Sequence, residues 1–274
     1  MVDMENVMKQ YKKVSQWLFV IFLFIGLTAC SQENSAILKV GATVGPHAQV
    51  VEAVAKEAAK QGLTVEVIEF SDYITPNSAL ADGSLDINSF QHQPFLDSYN
   101  SNNDTHLVPI GKSILMRMGL YSTKYHSLTD LPDNALIAIP NDPTNGGRGL
   151  LLLADSKLIT LKPNVGYKAR IKDIVDNPKN FEFIELEAAQ LPRSLDDVDA
   201  AAITMNYVMS AGLNPEKQGI FLEPKDAPLA LMVIAVRNED KNNASYKKFV
   251  EIYHSQAIRD FIQKTFKGTI EPAA

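Results

Sequence analysis

The chain has 274 residues, 46% of them hydrophobic, and a formal net charge of −6 at pH 7. That length supports one large or two modest domains with a sizeable core, and the mild acidity, with no basic stripe interleaved with aromatics, excludes the usual signature of a nucleic-acid binder. Cys30 is the single cysteine, so no intramolecular disulfide can form and the fold must stand on its core.

In chain order, Lys9, Lys12 and Lys13 precede an eleven-residue apolar run at 17–27, which closes in Leu27-Thr28-Ala29-Cys30. An aliphatic residue, two small residues and a cysteine form the lipobox of a bacterial lipoprotein signal peptide. The run is well short of the ~20 residues that span a bilayer, which argues against a bitopic anchor. Residues 1–29 are therefore predicted to be a signal peptide and 30–36 a short polar tether. Cys30 is the expected acylation site, holding the protein to a bacterial membrane by lipid alone, facing the periplasm or the exterior. Removal of 1–29 takes Lys9, Lys12 and Lys13 against Asp3 and Glu5, and moves the formal charge to −7.

From residue 37 onward, predicted strands and helices alternate. Residues 37–44 read as a strand, Gly45-Pro46 as a turn, 48–60 as an amphipathic helix stopped by Gly62, and 63–70 as the next strand. That order argues for parallel βαβ units. A short helix is predicted at 76–81, a strand at 85–90, a helix with Pro94 as its first residue, and strand material over 108–120 interrupted by Gly111. A new unit opens with the strand 136–140, and Asp142-Pro143 supplies an N-cap followed by proline at the first helical position. Further strands are predicted at 181–186, 200–203, 219–222 and 229–236. The final helix carries Ile258, Phe261, Ile262, Thr265 and Phe266 on one face before Gly268. The simplest architecture is α/β, two lobes with a ligand cleft between them: 37–120 with 229–274 as lobe I and 121–228 as lobe II.

Several chemical motifs fail on inspection. Gly111-Lys112-Ser113 lacks the glycine that a phosphate loop needs five positions earlier, where His106 stands. No nucleophile elbow, zincin helix or dinucleotide fingerprint occurs. The five histidines, at 47, 92, 106, 126 and 254, lack ligand spacing, so a zinc site would require convergence in space. No metal, cofactor or enzymatic activity is expected.

Four stretches stand at the carboxyl ends of predicted strands, where ligands sit in open α/β sheets. They are residues 70–73, 88–95, 140–148 and 185–194. Asp72-Tyr73-x-x-Pro76-Asn77, Phe90-Gln91-His92-x-Pro94, residues 140–145 with Arg148, residues 191–197 and Gly212-Leu213 occur in the right order over nearly the whole expected mature chain. In these the chain resembles the NlpA family of methionine-binding lipoproteins, type II periplasmic binding proteins of bacterial ABC importers. The resemblance implies that Tyr73, Phe90, His92, Asn145 and Arg148 hold the ligand, aromatic rings around its side chain and the arginine on its carboxylate. The chemistry is sound from below: a guanidinium is a planar fork of donors that fits a carboxylate bidentately, and a thioether rests well on ring edges. Taken alone, an arginine after two glycines reads first as a solvated helix residue, and a histidine or phenylalanine beside proline as packing; the resemblance reverses that order.

One departure stands out. Family asparagines that hold the ligand's amino group match Thr204 and Leu231 here, with Asn206 two residues along as partial compensation. A buried ammonium needs acceptors, so this end of the site allows a ligand without a free ammonium, such as an N-acylated methionine whose acyl carbon rests on Leu231. The resemblance implies a monomeric, lipid-anchored receptor for L-methionine or a close carboxylate relative, serving an ABC permease and its ATPase. A surface interaction lipoprotein that has kept the fold without transport, or a receptor for another small carboxylate, is the alternative. Replacing Arg148 is expected to weaken binding and spare the fold.

Overall fold

The structure, a computed structural model, describes residues 37–273; the expected signal peptide and Cys30 lie outside the described residues. In β1 (Leu38–Thr43) the buried Leu38, Val40 and Ala42 alternate along the strand. Helix α1 (Pro46–Lys60) starts two residues earlier than its hydrophobic pattern suggests, because proline in the first turn forgoes only an N–H that has no partner there. Gln61 is its C-cap, ahead of Gly62. Strand β2 (Val65–Phe70) then lies parallel to β1, which bears out the expected βαβ unit.

Helix α2 (Thr75–Ala81), strand β3 (Ile87–His92), helix α3 (Gln93–Asn103) and strand β4 (Leu107–Leu115) come next. β3 runs two residues further than expected, which makes His92 the N-cap of α3: its Nδ1 accepts the Phe95 N–H at 3.1 Å, and Pro94 falls inside the first turn. Gly111 does not interrupt β4. A β-carbon there would lie 2.7 Å from Val250 Cγ1, so the absent side chain is room for a packed helix rather than a break. The break comes at Met116 and Arg117, after which β5 (Met118–Tyr121) belongs to a different sheet.

Strand β6 (Leu136–Pro140) leads into helix α4 (Pro143–Asp155), with Asp142 as N-cap accepting from the backbone of Thr144 and Asn145, as the sequence predicts. Then come β7 (Thr160–Leu161), β8 (Ile174–Asp176), β9 (Glu182–Leu186), α5 (Leu191–Ser194), β10 (Ala200–Thr204), α6 (Met205–Ser210), α7 (Pro215–Gln218), β11 (Gly219–Leu222), β12 (Leu231–Arg237), α8 (Ala244–Tyr253), α9 (Gln256–Phe266) and β13 (Glu271–Pro272). The short pieces β7, β8, α5, α6, α7 and β13 carry too few residues for periodicity to reveal them.

Two large sheets have the orders β13-β4-β12-β3-β1-β2 and β11-β5-β10-β6-β9, and β7 and β8 form a small antiparallel pair of their own. In the first, β1, β2 and β3 are parallel while β12 and β13 run antiparallel to their neighbours. In the second, β6 is parallel to β9 and β10, and β5 is antiparallel to β10 and β11. The chain crosses from the first sheet to the second at Met116 and Arg117, ahead of the crossing expected after Leu120, because residues 118–121 pair with β10 and β11. It returns between Leu222 and Leu231. Leu150 and Leu153 of α4 pack with Ile137 and Ile139 of β6 and Ala202 of β10, and Ile258, Ile262 and Phe266 give α9 its buried face. Burying each of these leucine, isoleucine and phenylalanine side chains contributes about 1.5–3 kcal/mol.

Candidate functional site

The carboxyl ends of β1, β2, β3, β6 and β10 all feed one narrow cavity lined mostly by buried side chains, the place expected for a ligand site in an α/β protein. Its walls include Tyr73, Phe90, His92, Asn145, Arg148, Thr204 and Asn206, so the structure brings all seven sequence-predicted residues together. Tyr73 follows β2, Phe90 and His92 lie on β3, Asn145 and Arg148 on the first turns of α4, Thr204 ends β10 and Asn206 opens α6. His47, Gln91, Phe95, Met116 and Met232 complete the lining. Leu231 does not line it; Met232, opposite His92 in the β12–β3 pair, does. An acyl group therefore cannot rest on Leu231 as the sequence suggests, because the β pleat turns adjacent side chains to opposite faces.

One wall is aromatic. The Tyr73, Phe90 and Phe95 rings stand 5.9 Å apart in each pairing, with Tyr207 at 4.9 Å from Tyr73. With Met116 and Met232, this is a surface suited to an apolar or thioether side chain. The other walls are polar, and they pair with one another. The Tyr73 hydroxyl donates to Asn206 Oδ1, which leaves the Thr204 hydroxyl to donate to Tyr73 at 2.8 Å. His92, with Nδ1 accepting at the α3 cap, donates from Nε2 to Asn145 Oδ1 at 3.2 Å, and Asn145 Nδ2 donates to Asp142 at 3.1 Å. Both pairings run between residues of the two sheets. Asn206 Nδ2 is buried with no partner, and so is His47 Nδ1.

Burial holds both cavity histidines neutral, pressing His47 and His92 down to about 3, with the Arg148 charge adding to the effect at His92. Burial also raises the Tyr73 hydroxyl and the Asp142 carboxyl above their ordinary values. No group of three or more His, Cys, Asp or Glu among the described residues is placed to hold a metal ion.

Arg148 is 1% exposed, which corrects the picture of a solvated residue after two glycines. The glycines are the reason for its burial. A β-carbon at Gly147 would lie 2.0 Å from the Tyr167 carbonyl oxygen and one at Gly146 2.7 Å from that of Pro140, so only this pair lets the first turns of α4 sink between those backbones. The guanidinium is also not a free fork. Nε donates to Glu223 Oε1 at 2.7 Å, Nη2 to Glu223 Oε2 at 2.6 Å and to the Met116 carbonyl at 3.0 Å. The bidentate edge expected for a ligand carboxylate is thus taken by a protein carboxylate, and Nη1 is the nitrogen that neither Glu223 nor Met116 takes. Glu223 escaped the sequence reading. Its one signal was an acidic residue directly after the apolar end of a strand, at Phe221-Leu222-Glu223. His47, just past Gly45-Pro46, carried a similar signal, while Gln91 and Phe95 lay within a recognised stretch without being singled out.

Comparison with known proteins places this geometry in context. The model of the NlpA lipoprotein family matches residues 38–274. The D-methionine-binding lipoprotein MetQ of Salmonella typhimurium is 44% identical over 250 residues, 89% of this chain and 92% of that one. A nutrient-binding protein from Burkholderia cenocepacia, solved bound to methionine, superposes with a TM-score of 0.84 at 45% identity, over 87% of this chain and 100% of that one. A periplasmic substrate-binding protein of an ABC transporter from Coxiella burnetii superposes with a TM-score of 0.83 at 44% identity, over 86% of this chain and 100% of that one. The two solved proteins share the α/β fold of this chain.

Proposed function

The chain belongs to the NlpA lipoprotein family, and from that premise we propose that it is a substrate-binding protein, not an enzyme, that takes L-methionine into this cavity for an ABC importer. The observation that carries the proposal is the convergence of Tyr73, Phe90, His92, Asn145, Arg148, Thr204 and Asn206, from separate stretches of chain, on one cavity with an aromatic wall and a single permanent positive charge. Arg148 Nη1 meets the ligand carboxylate, Phe90, Phe95 and Tyr73 take the thioether, and the Thr204 and Asn206 oxygens, each with a lone pair left after bonding Tyr73, face the amino group. The relatives support the same ligand: one is named for D-methionine and another was solved with methionine bound.

The two sheets correspond to two lobes, with the crossings at Met116–Arg117 and between Leu222 and Leu231 as the hinge segments. Ligand that touches residues of both favours the closed arrangement, and a permease with its ATPase reads that state. Acyl chains on Cys30 tether the monomeric receptor to the bacterial envelope. Among the described residues no helix is long and apolar enough to cross a membrane. Detergent partitioning checks the tether: Cys30→Ala is expected to leave the membrane fraction with its ligand affinity unchanged, because stable anchoring depends on the acyl chains.

Native mass spectrometry of freshly purified protein, followed by calorimetric titration of stripped protein with L-methionine, tests the ligand. A retained mass that is not methionine, with no heat on titration, overturns the proposal. A second ligand class is favoured by one observation. The unpartnered Asn206 Nδ2 is a donor at the amino end, and it suits the carbonyl of an N-acylated methionine.

A further inference from the structure

The Arg148 guanidinium reaches the cavity already paired. Of its five N–H donors, one on Nε and one on Nη2 go to Glu223, the other on Nη2 goes to Met116, and two on Nη1 remain. Glu223 is itself 6% exposed, and its Oε2 also accepts the Met118 N–H at 2.7 Å. Its position in the fold is unusual. Glu223 follows β11 on the return crossing, whereas Met116 and Met118 flank the outgoing crossing, so the pair ties Arg148 to both segments that join the sheets. Asp142, the acidic N-cap of α4, directs both carboxylate oxygens at Thr144 and Asn145. Among the described residues that line the cavity, only Arg148 carries a permanent charge, and the two histidines are neutral.

We propose that Glu223 is the positioning residue that sets the charge class of the ligand: by holding Arg148 at Nε and Nη2 and balancing its charge, it makes the cavity select net-neutral zwitterions over anions of the same shape. The proposal rests on the cavity being the methionine site. A ligand carboxylate that docks on Nη1 becomes the second carboxylate on one guanidinium, and like charges at short range in a low-dielectric site repel strongly. A zwitterion brings its own ammonium to offset that repulsion; an N-acylated anion does not. With Glu223 neutral, the guanidinium charge is uncompensated until an anion arrives, and the preference moves toward the anion.

The test uses stripped protein carrying residues 31–274, titrated at pH 7.5 and fixed ionic strength with L-methionine and N-formyl-L-methionine, which differ in net charge. In Glu223→Gln the ratio of the two affinities is expected to shift at least tenfold toward N-formylmethionine. In Arg148→Met/Glu223→Gln, where both charges are gone, both ligands bind more weakly and the ratio stays within about threefold of wild type. A Glu223→Gln protein that binds both ligands at the wild-type ratio makes the pair purely structural and overturns the proposal. Should Glu223→Gln not fold, the double variant decides: a tenfold shift in its ratio, or its own failure to fold, overturns the proposal. A wild type that binds neither ligand instead overturns the methionine site itself, and is told apart by the absence of any affinity to compare.

Discussion

The two ends of the cavity solve the same problem in opposite ways. At the Arg148 end a full charge is buried, and it is stable there because Glu223 compensates it and a backbone carbonyl takes a further donor. At the Tyr73 end the lining side chains are neutral, a chain in which Thr204, Tyr73 and Asn206 satisfy each other and leave one amide nitrogen over. The first end is charge-balanced; the second is polar and short of one acceptor. The contrast bears on the ligand. An unmade hydrogen bond at Asn206 Nδ2 costs about 1–3 kcal/mol, whereas an uncompensated charge in a dry site costs several kcal/mol or more. On the proposed function, the charge balance at the Arg148 end is therefore expected to outweigh the surplus donor at the other, with L-methionine ahead of an N-acylated relative.

The comparison breaks most easily at the ion pair. Arg148→Ala is expected to lower global stability by about 3–5 kcal/mol, because it strands Glu223 without a partner, and to abolish tight binding. This reverses the expectation from sequence that the fold would be spared. Urea unfolding of the unliganded protein measures it, and an unchanged midpoint means that Glu223 finds water or a proton at little cost. The Arg148→Met/Glu223→Gln variant is expected to recover most of that loss.

Acid acts on the whole cavity. His47 and His92 are neutral when folded, with values pressed to about 3, and the unfolded chain protonates them near 6.5. Their contribution is complete above about pH 6.5 and is lost as pH falls from there toward 3, because the unfolded state then binds more protons. Between pH 7 and pH 5 the expected loss is about 2 kcal/mol per histidine. Urea midpoints at the two pH values check the size, and His92→Gln is expected to remove its own share of the slope.

The neutral end gives the smallest response. Tyr73→Phe removes the hydroxyl that joins Thr204 to Asn206 and is expected to cost about 1–1.5 kcal/mol in stability. Thermal unfolding detects that, while titration with L-methionine reports a loss of affinity of similar size. A Tyr73→Phe loss as large as that of Arg148→Ala would erase the distinction between the ends.

Much of this was legible in the residues in order, and the reason is that it is local. The Asp142-Pro143 start of α4 needs only the hydrogen bonds and dihedrals of neighbouring residues, and the α9 stripe of Ile258, Ile262 and Phe266 needs only the helical period. The recognised stretches also contain Tyr73, Phe90, His92, Asn145 and Arg148, since strand ends lead directly into the loops and helices that carry them, while Thr204 and Asn206 came from the family resemblance. What tertiary structure alone decided is which of their polar atoms remain for a ligand. Arg148 meets Glu223 across 75 residues and Tyr73 meets Asn206 across 133, distances over which no periodicity or capping rule operates. A side chain's chemistry is written in its own identity, but its net charge in place, its free donors and its degree of desolvation belong to whatever the fold packs against it. For that reason the cavity's aromatic wall could be read from Tyr73 and Phe90, while the balance of charge at Arg148 waited for Glu223.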